Sequence, residues 1–279
     1  MTQAADRLRR IFLAPSGATM LVTLAAPLLI VLAYSLLSRG TYGGVELPWT
    51  FENYTRLWDR LYLSIFWRTI WISVVTTFLC LLLGFPLALF IAQSGARRNL
   101  LLTLVILPFW TSFLIRTYAW MFLLRDTGLI NTALMSLGLI REPLPLLYND
   151  GAVILGLVYG YLPFVVLPLY STLERLDQNL FSAAADLGAN PWETLRRVTI
   201  PLAAPGIRAG ALLVFIPCLG TYLTSDLLGG SKTVLIGNLI QAEFTSGRDW
   251  PFGAATALGL AAFTIALLSL SRRQSEELL

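Results

Sequence analysis

ERLDQNLFSAAADLGANPWETLRRVTIPLAAPGIR, residues 174–208, decides how this chain is read. It is a polar island about 35 residues long set between apolar runs. A helix crossing a bilayer needs ~20 consecutive apolar residues, so the island stays outside the membrane core. The spacing predicts a helix over Glu174–Leu187, with Leu176, Leu180, Ala183, Ala184 and Leu187 on one stripe. Gly188 falls where such a helix would end in a left-handed residue. Asn190 then suits an N-cap, Pro191 the first helical position and Glu193 the third, where a carboxylate meets unsatisfied N–H groups. A second helix is predicted from Pro191 to about Val198, stopping ahead of Pro201 because the residue before a proline leaves the α region. The island thus reads as helix, sharp glycine turn, short helix and proline-punctuated return to the membrane.

Composition agrees. The chain is 56% hydrophobic and only 13% charged, with a mean hydropathy of +0.71, against roughly 25% charged residues in a soluble domain. The apolar runs are continuous and not alternating, which excludes an outer-membrane barrel and leaves an all-α polytopic membrane protein. The net charge of +4 comes almost wholly from arginine, Lys232 being the single lysine. Those arginines cluster at the ends of apolar runs, which points to membrane orientation and lipid contact and away from nucleic acid. Cys80 and Cys218 both lie inside apolar runs, so neither a disulfide framework nor a metal site is expected.

In chain order, six spans are predicted at about 11–37, 61–92, 100–124, 151–173, 209–228 and 252–270, within a single transmembrane domain of residues 1–279. The first is too long for a signal-peptide core and has no convincing cleavage site. Ser38–Arg60 reads as a polar connection with Trp49, Trp58 and Tyr62 as an interfacial belt. Within Arg125–Asp150, Leu129, Ile130, Ala133, Leu134 and Leu137 fit an interfacial amphipathic helix, with Asn131, Thr132 and Ser136 on its other faces. Gly229–Trp250 reads as a loop. Arg7, Arg9, Arg10, Arg97, Arg98, Arg175, Arg196, Arg197, Arg208, Arg272 and Arg273 outnumber the basic residues opposite, so both termini and the island are expected to be cytoplasmic.

Enzyme chemistry finds no footing. No histidine occurs anywhere, which removes His-based zinc sites and Ser-His or Cys-His nucleophile pairs. Gly229-Gly230-Ser231-Lys232-Thr233 lacks the Gly-Lys pair and preceding strand of a phosphate-binding loop, so a glycine turn is the better account. No cofactor is expected on this chain. An ion-coupled secondary transporter, the remote alternative, would show internal repeats and several buried acids, and neither is seen.

The island resembles the EAA motif of inner-membrane permease subunits of ABC importers. Ala183-Ala184, Asp186-Leu187-Gly188-Ala189, Leu195, Val198, Ile200-Pro201 and Pro205-Gly206-Ile207 match position by position, and Ser182 stands where the family usually has a glutamate. The resemblance implies that Ser182, Ala183, Ala184, Asp186, Gly188, Ala189, Asn190, Pro191, Trp192 and Glu193 belong to a coupling helix that docks on a separate ATPase. RTYAWMFLLRDTGLIN (116–131) and LGTYLTSDLLGGSKTVLIGNLIQ (219–241) look like the polyamine-type branch, the spermidine/putrescine importers and relatives. The branch implies an ABC ATPase dimer holding ATP and Mg, a second homologous permease subunit, an extracytoplasmic substrate-binding protein and a multi-pass place in the bacterial inner membrane. Thr221 stands where many polyamine-type members carry a carboxylate, and an opine or amino-acid derivative or an organophosphonate remains an alternative cargo.

Polar groups inside spans are costly and mark function by default. On that ground the candidate pathway residues are Arg116, Tyr118, Trp120, Tyr159, Tyr161, Thr221, Tyr222, Ser225 and Asp226, with Glu243 joining from the following loop. Aromatics around the Asp226 carboxylate would attract an amine; an Arg116–Asp226 ion pair bracing two helices is the structural alternative.

Overall fold

The computed structural model describes residues 2–276, with side chains for residues 15–177 and 179–269. The side chains of Arg7, Arg9, Arg10, Arg272 and Arg273 therefore lie outside the described residues. In chain order the helices and strands are α1 (Thr2–Ser35), β1 (Leu37–Arg39), β2 (Val45–Trp49), α2 (Glu52–Arg56), α3 (Arg60–Gln93), α4 (Arg98–Ile106), α5 (Phe113–Leu124) and α6 (Leu129–Ser136). They continue with α7 (Asp150–Leu173), α8 (Gln178–Asp186), α9 (Pro191–Thr194), α10 (Ile200–Leu202), α11 (Ala204–Gly220), α12 (Ile236–Phe244) and α13 (Trp250–Glu276). Among the described residues, four helices are long and apolar enough to cross a membrane: Pro15–Ser35, Arg60–Gln93, Asp150–Leu173 and Trp250–Ser269. Two bent pairs raise the number to six if each counts as one span.

Those pairs correct the sequence reading. The expected third span is broken: α4 passes into a 3-10 turn over Leu107–Trp110, Thr111 is extended, and α5 leaves with the pair bent by 87°. Pro108 lies inside that 3-10 turn, where its missing N–H costs no α-helical bond. The expected fifth span starts earlier, at Ala204, and stops at Gly220, after which Thr221 is extended and Ser225–Gly229 forms a π turn. The helix expected from Glu174 begins only at Gln178, where Asp177 accepts from the Asn179 amide as a local cap. The one expected to stop before Pro201 runs on: a π turn over Leu195–Thr199 widens the ladder, and α10 restarts with Pro201 in its first turn.

Residues 64–238 and residues 1–63 with 239–279 form two compact units. In the first, α7 supplies the middle of the core with Val153, Leu157, Val165, Val166 and Leu169, all fully buried. The α11 helix packs closely on it through Gly206 and Gly210, four residues apart. A Cβ on Gly206 would stand 2.6 Å from Thr172 Oγ1 and 3.0 Å from the Pro168 carbonyl, and one on Gly210 would stand 3.2 Å from the Val165 Cα. This is the close approach of small residues on which helix association in lipid depends, since lipid tails leave no hydrophobic force to drive it. It also gives a packing reason for the glycine of Pro205-Gly206-Ile207. Cys80 and Cys218 are buried in the same core. The outward face of α3, with Trp71, Phe78, Leu82 and Phe90 exposed, has the apolar surface expected of a helix whose solvent is hydrocarbon. Asn131 is a further correction: it lies buried and not on a polar face, its Oδ1 accepting from the Leu144 amide and its Nδ2 donating to the Leu144 carbonyl, both at 2.9 Å.

In the second unit α1 packs along α13. The expected polar connection is an antiparallel hairpin, Leu37 opposite Trp49 and Arg39 opposite Val45, followed by α2. The loop expected after residue 229 likewise contains a helix, α12. Asp249, 1% exposed, organises this unit. Its Oδ2 accepts from Arg56 Nη1 at 2.8 Å and its Oδ1 accepts from the Phe252 amide at 3.1 Å, capping α13. The Arg56 guanidinium lies 4.0 Å from the Phe252 ring centre, and the Tyr62 ring packs on the same residue at 4.7 Å. Tyr62 is thus a core contact of this unit, whereas Trp49 and Trp58 are exposed.

Gly206→Val should push α11 off α7 and cost about 1–3 kcal/mol, as overpacking does. The check is thermal unfolding in detergent, with Gly17→Ala, whose Cβ meets nothing within 4 Å, expected to be neutral or slightly stabilising.

Candidate functional site

The island is built from two reciprocal caps. At the end of α8 the Ala189 amide donates to the Ala184 carbonyl at 3.0 Å and the Gly188 amide donates to the Ala185 carbonyl at 2.9 Å. With Gly188 at φ +83° this is the Schellman arrangement, in which the left-handed residue satisfies helix-end carbonyls. Two residues later Asn190 Oδ1 accepts from the Glu193 amide at 2.9 Å while Glu193 Oε2 accepts from the Asn190 amide at 3.1 Å. Pro191 fills the first helical position. Each half of such a capping box satisfies a donor that would otherwise be orphaned, at about 1 kcal/mol per cap. Of the coupling candidates, Ser182, Ala183, Asp186, Gly188, Asn190, Pro191 and Trp192 are exposed, Ala189 and Glu193 are half-buried and Ala184 is buried. Leu187 and Trp192 are 88% and 68% exposed, a pair of large apolar side chains presented on a rigid turn.

A cavity of about 510 Å³ opens where helices of residues 64–238 are interrupted. Its walls come from the break between α4 and α5 (Phe109, Phe113, Arg116), from α7 around Pro163 (Gly160, Tyr161, Phe164) and from the end of α11 (Pro217, Gly220, Thr221, Tyr222, Leu223). Phe109 meets Phe164 edge-on at 5.3 Å, and Tyr161 meets Phe164 at 6.1 Å. Into this aromatic wall reaches Arg116. Its guanidinium carbon is 4.7 Å from the Phe109 ring centre and 5.8 Å from that of Phe113. Its Nε and Nη1 are buried without a hydrogen-bond partner.

The pathway candidates divide. Arg116, Tyr161, Thr221 and Tyr222 line the cavity together. Trp120 and Tyr159 pack edge-to-face on each other at 5.6 Å, Tyr118 is exposed, and Ser225 is buried. Asp226 is exposed and lines no part of the cavity, and the Arg116–Asp226 ion pair does not form. Glu243 belongs to the other unit. The cavity therefore gathers aromatic faces around a guanidinium and not around a carboxylate.

Residues 81–275 match the family described as the binding-protein-dependent transport system inner membrane component. The chain belongs to this family. It is a multi-pass protein of the inner membrane. The spermidine/putrescine transport system permease protein PotB of Haemophilus influenzae is 46% identical over 235 residues, covering 84% of this chain and 82% of that one. PotB of Escherichia coli K12 is likewise 46% identical, over 84% and 86% of the two chains. The inner membrane ABC transporter permease protein YdcU of Escherichia coli K12 is 34% identical over 75% and 71%. Among solved structures, a bacterial alginate ABC transporter in complex with an alginate-bound periplasmic protein aligns with a TM-score of 0.76 at 20% identity, over 99% of this chain and 96% of that chain. The MetNI methionine ABC transporter aligns with a TM-score of 0.58 at 18% identity, over 78% and 95%. At those identities the structures show the fold.

Polar residues that sequence reasoning passed over brace the same unit of this inner-membrane component, and one of them reaches the cavity wall. Arg68, inside the second span, donates to Asp150 Oδ1 at 2.6 Å, and Thr233 donates to the same oxygen at 2.6 Å. Asn238 Oδ1 accepts from Ser225 Oγ and, at 3.1 Å, from the Leu235 amide, while Nδ2 donates to the Tyr222 carbonyl at 3.1 Å. Asn238 thus fixes the unwound chain that carries Tyr222 into the cavity wall. The cost of a charge in an apolar run, which singled out Arg116, would have found Arg68 too.

Burial pushes the Glu243 carboxyl above its ordinary 4.5, Asp249 adds to the rise, and Arg56 and Arg39 pull against it. A carboxyl raised in the folded state contributes stability below its unfolded value and loses it as pH rises through the folded one. Glu243→Gln should therefore unfold at a higher temperature than the parent at pH 7–8, with the difference vanishing below pH 4.5; a pH series of melting curves is the check.

Proposed function

We propose that this chain is the transmembrane subunit of an ATP-driven importer and forms half of the translocation pathway for a polyamine such as putrescine or spermidine. The observation that carries the reading is the 46% identity to spermidine/putrescine permeases over 84% of the chain. The chain supplies no nucleotide site of its own. ATP and Mg belong to a partner ATPase dimer, and a second homologous permease and an extracytoplasmic binding protein complete the assembly. The reading takes each bent pair as one span, six in all, with both termini and the island on the cytoplasmic side, as the excess of arginines there supports.

In this reading the island is the coupling element. A part that transmits force must keep its shape under load, and the Schellman turn and capping box make Gly188–Glu193 such a part. Exposed Leu187 and Trp192 offer apolar surface to a groove on the ATPase, and Ser182 offers a hydroxyl where the family's motif carries a charge. The helical turns from Pro191 to Leu202 lead into α11, so movement of the island is delivered to the helix that ends at the cavity. Nucleotide-driven closure of the ATPases then rocks the permease halves between inward and outward openings.

A second reading of the cargo follows from the cavity itself, since a guanidinium without a partner favours a solute with a carboxylate.

ATPase activity of the reconstituted complex with its binding protein should rise with micromolar putrescine or spermidine. A flat response to both, with a rise for an amino-acid derivative, would move the cargo to the second reading. Gly188→Val forces a β-branched residue into a left-handed conformation, at about 1–3 kcal/mol, and should abolish uptake while substrate no longer stimulates ATP hydrolysis. Gly188→Asn, which tolerates that conformation, should retain most of both; equal transport by the two variants would remove the island from the mechanism.

A further inference from the structure

We propose that Arg68 and Asp150 are positioning residues for the cavity wall: through Thr233 and Asn238 they hold the folded-back segment of residues 221–238, and with it Tyr222, in place. The inference rests on the importer reading for the use made of the cavity and adds to it what sets the shape of one wall.

The wall of Thr221, Tyr222 and Leu223 does not inherit its place from a continuous helix, because α11 ends at Gly220 and Thr221 is extended. Its place comes from the far end of its own segment, which folds back on it. Asn238 Nδ2 donates to the Tyr222 carbonyl at 3.1 Å. Gly237 lies so close to the Gly220 and Thr221 carbonyls that a Cβ would stand 2.7 Å from the first. Asn238 Oδ1 accepts from Ser225 Oγ and from the Leu235 amide, so one side chain ties both ends of the segment together.

Two struts from outside fix that far end. Asp150, the first residue of α7, accepts at Oδ1 from Thr233 Oγ1 and from Arg68 Nη2, both at 2.6 Å. The same Arg68 nitrogen lies 3.4 Å from the Thr233 hydroxyl, which closes the triangle. One residue along α3, Thr69 Oγ1 accepts from the Ile236 amide at 3.0 Å. Thr233 is fully buried, whereas the Arg68 and Asp150 side chains are 38% and 41% exposed. A buried hydroxyl that loses its acceptor is costly, so Thr233 stays where Asp150 is. A charge-assisted bond is stronger than a neutral one, so Asp150 stays where Arg68 is. A neutral side chain suffices to tie two elements, as Thr69 shows; a charge in an apolar run calls for a further reason. The carboxylate oxygen shared between α3, α7 and the segment supplies it.

Arg68 and Asp150 line no part of the cavity. They act on the solute through the wall alone. A ring that holds an ammonium does so within about 6 Å of its centre, so a displaced Tyr222 weakens solute binding.

The test replaces Tyr222 by 4-trifluoromethylphenylalanine in the full chain in detergent, where the fluorine resonance reports the surroundings of the ring. Arg68→Met should shift or split the line, and Arg68→Lys, which still donates to Asp150, should restore it. Thr233→Val keeps the shape and drops the hydroxyl; it should act as Arg68→Met does and carries the test if the methionine variant does not fold. Arg98→Met, which breaks the ion pair with Glu174 at the other end of α7, should leave the line in place. A line unmoved in the folded variants, or moved as far by Arg98→Met, would overturn the positioning role. In the reconstituted complex with natural Tyr222, Arg68→Met should raise the half-saturating putrescine concentration roughly 5- to 10-fold with little change in the maximal rate, and should add little in an Asn238→Ala background. An unchanged half-saturation, or fully additive losses, would also count against the proposal. Putrescine uptake by the parent complex tests the cargo separately: its absence removes the polyamine and leaves the fluorine result standing.

Discussion

A backbone amide in hydrocarbon has no water to turn to, and in this chain backbone groups at the two breaks, after α4 and after α11, find partners nearby. After α4 the Thr111 amide and hydroxyl both donate to the Pro108 carbonyl, at 3.3 and 2.7 Å. After α11 the Thr221 amide donates to the Cys218 carbonyl at 3.3 Å, and the Tyr222 carbonyl accepts from the Asp226 amide at 2.9 Å and from Asn238 Nδ2 at 3.1 Å. Irregular backbone at membrane depth is tolerated only where protein or a cavity surrounds it. Here both breaks face the same cavity, so the sites where the helices are least regular are the sites that line it.

The α11 helix joins the two candidate regions. Its first residues continue the island across a 66° bend, its glycines lie against α7, and its last residue lines the cavity. The α7 helix in turn gives the cavity Gly160, Tyr161 and Phe164. Close packing of this kind has no slack: a displacement of α11 cannot be absorbed by side-chain repacking at Gly206 and Gly210, because backbone and Thr172 already stand where side chains would move. Movement at one end of α11 is then movement at the other.

Features set by local chemistry were legible in the sequence. Gly188, Asn190, Pro191 and Glu193 announce their turn and caps because each acts within a few residues, and all four adopt the predicted geometry. The apolar runs announced the membrane helices for the same reason. What escaped was set by distant partners. Phe109 and Phe164 read as ordinary apolar residues, and only the fold makes them a wall for Arg116. The break at Leu107–Trp110 was hidden because Pro108 sits in an apolar run that hydropathy scores as continuous. The hairpin at Leu37–Trp49 was missed because its alternation is short and interrupted by glycines, and what anchors it is Gly44 on the Arg248 carbonyl and Arg39 on that of Gly247, some 200 residues away. Asp226 failed as a cavity residue because the π turn at Ser225–Gly229 rotates it outward, and a helix register cannot foresee a π turn.

The burial of both native thiols has a practical side. Cys80 and Cys218 are 0% and 1% exposed and are the chain's two cysteines. A maleimide or a thiol-directed spin label applied to the folded protein therefore finds no native thiol at its surface. A cysteine placed at Leu187 or Trp192, both well exposed, becomes a unique chemical handle without any prior removal of natural residues. The chain is in that sense already a cysteine-light scaffold, ready for the distances between its island and any partner to be read as nucleotide comes and goes.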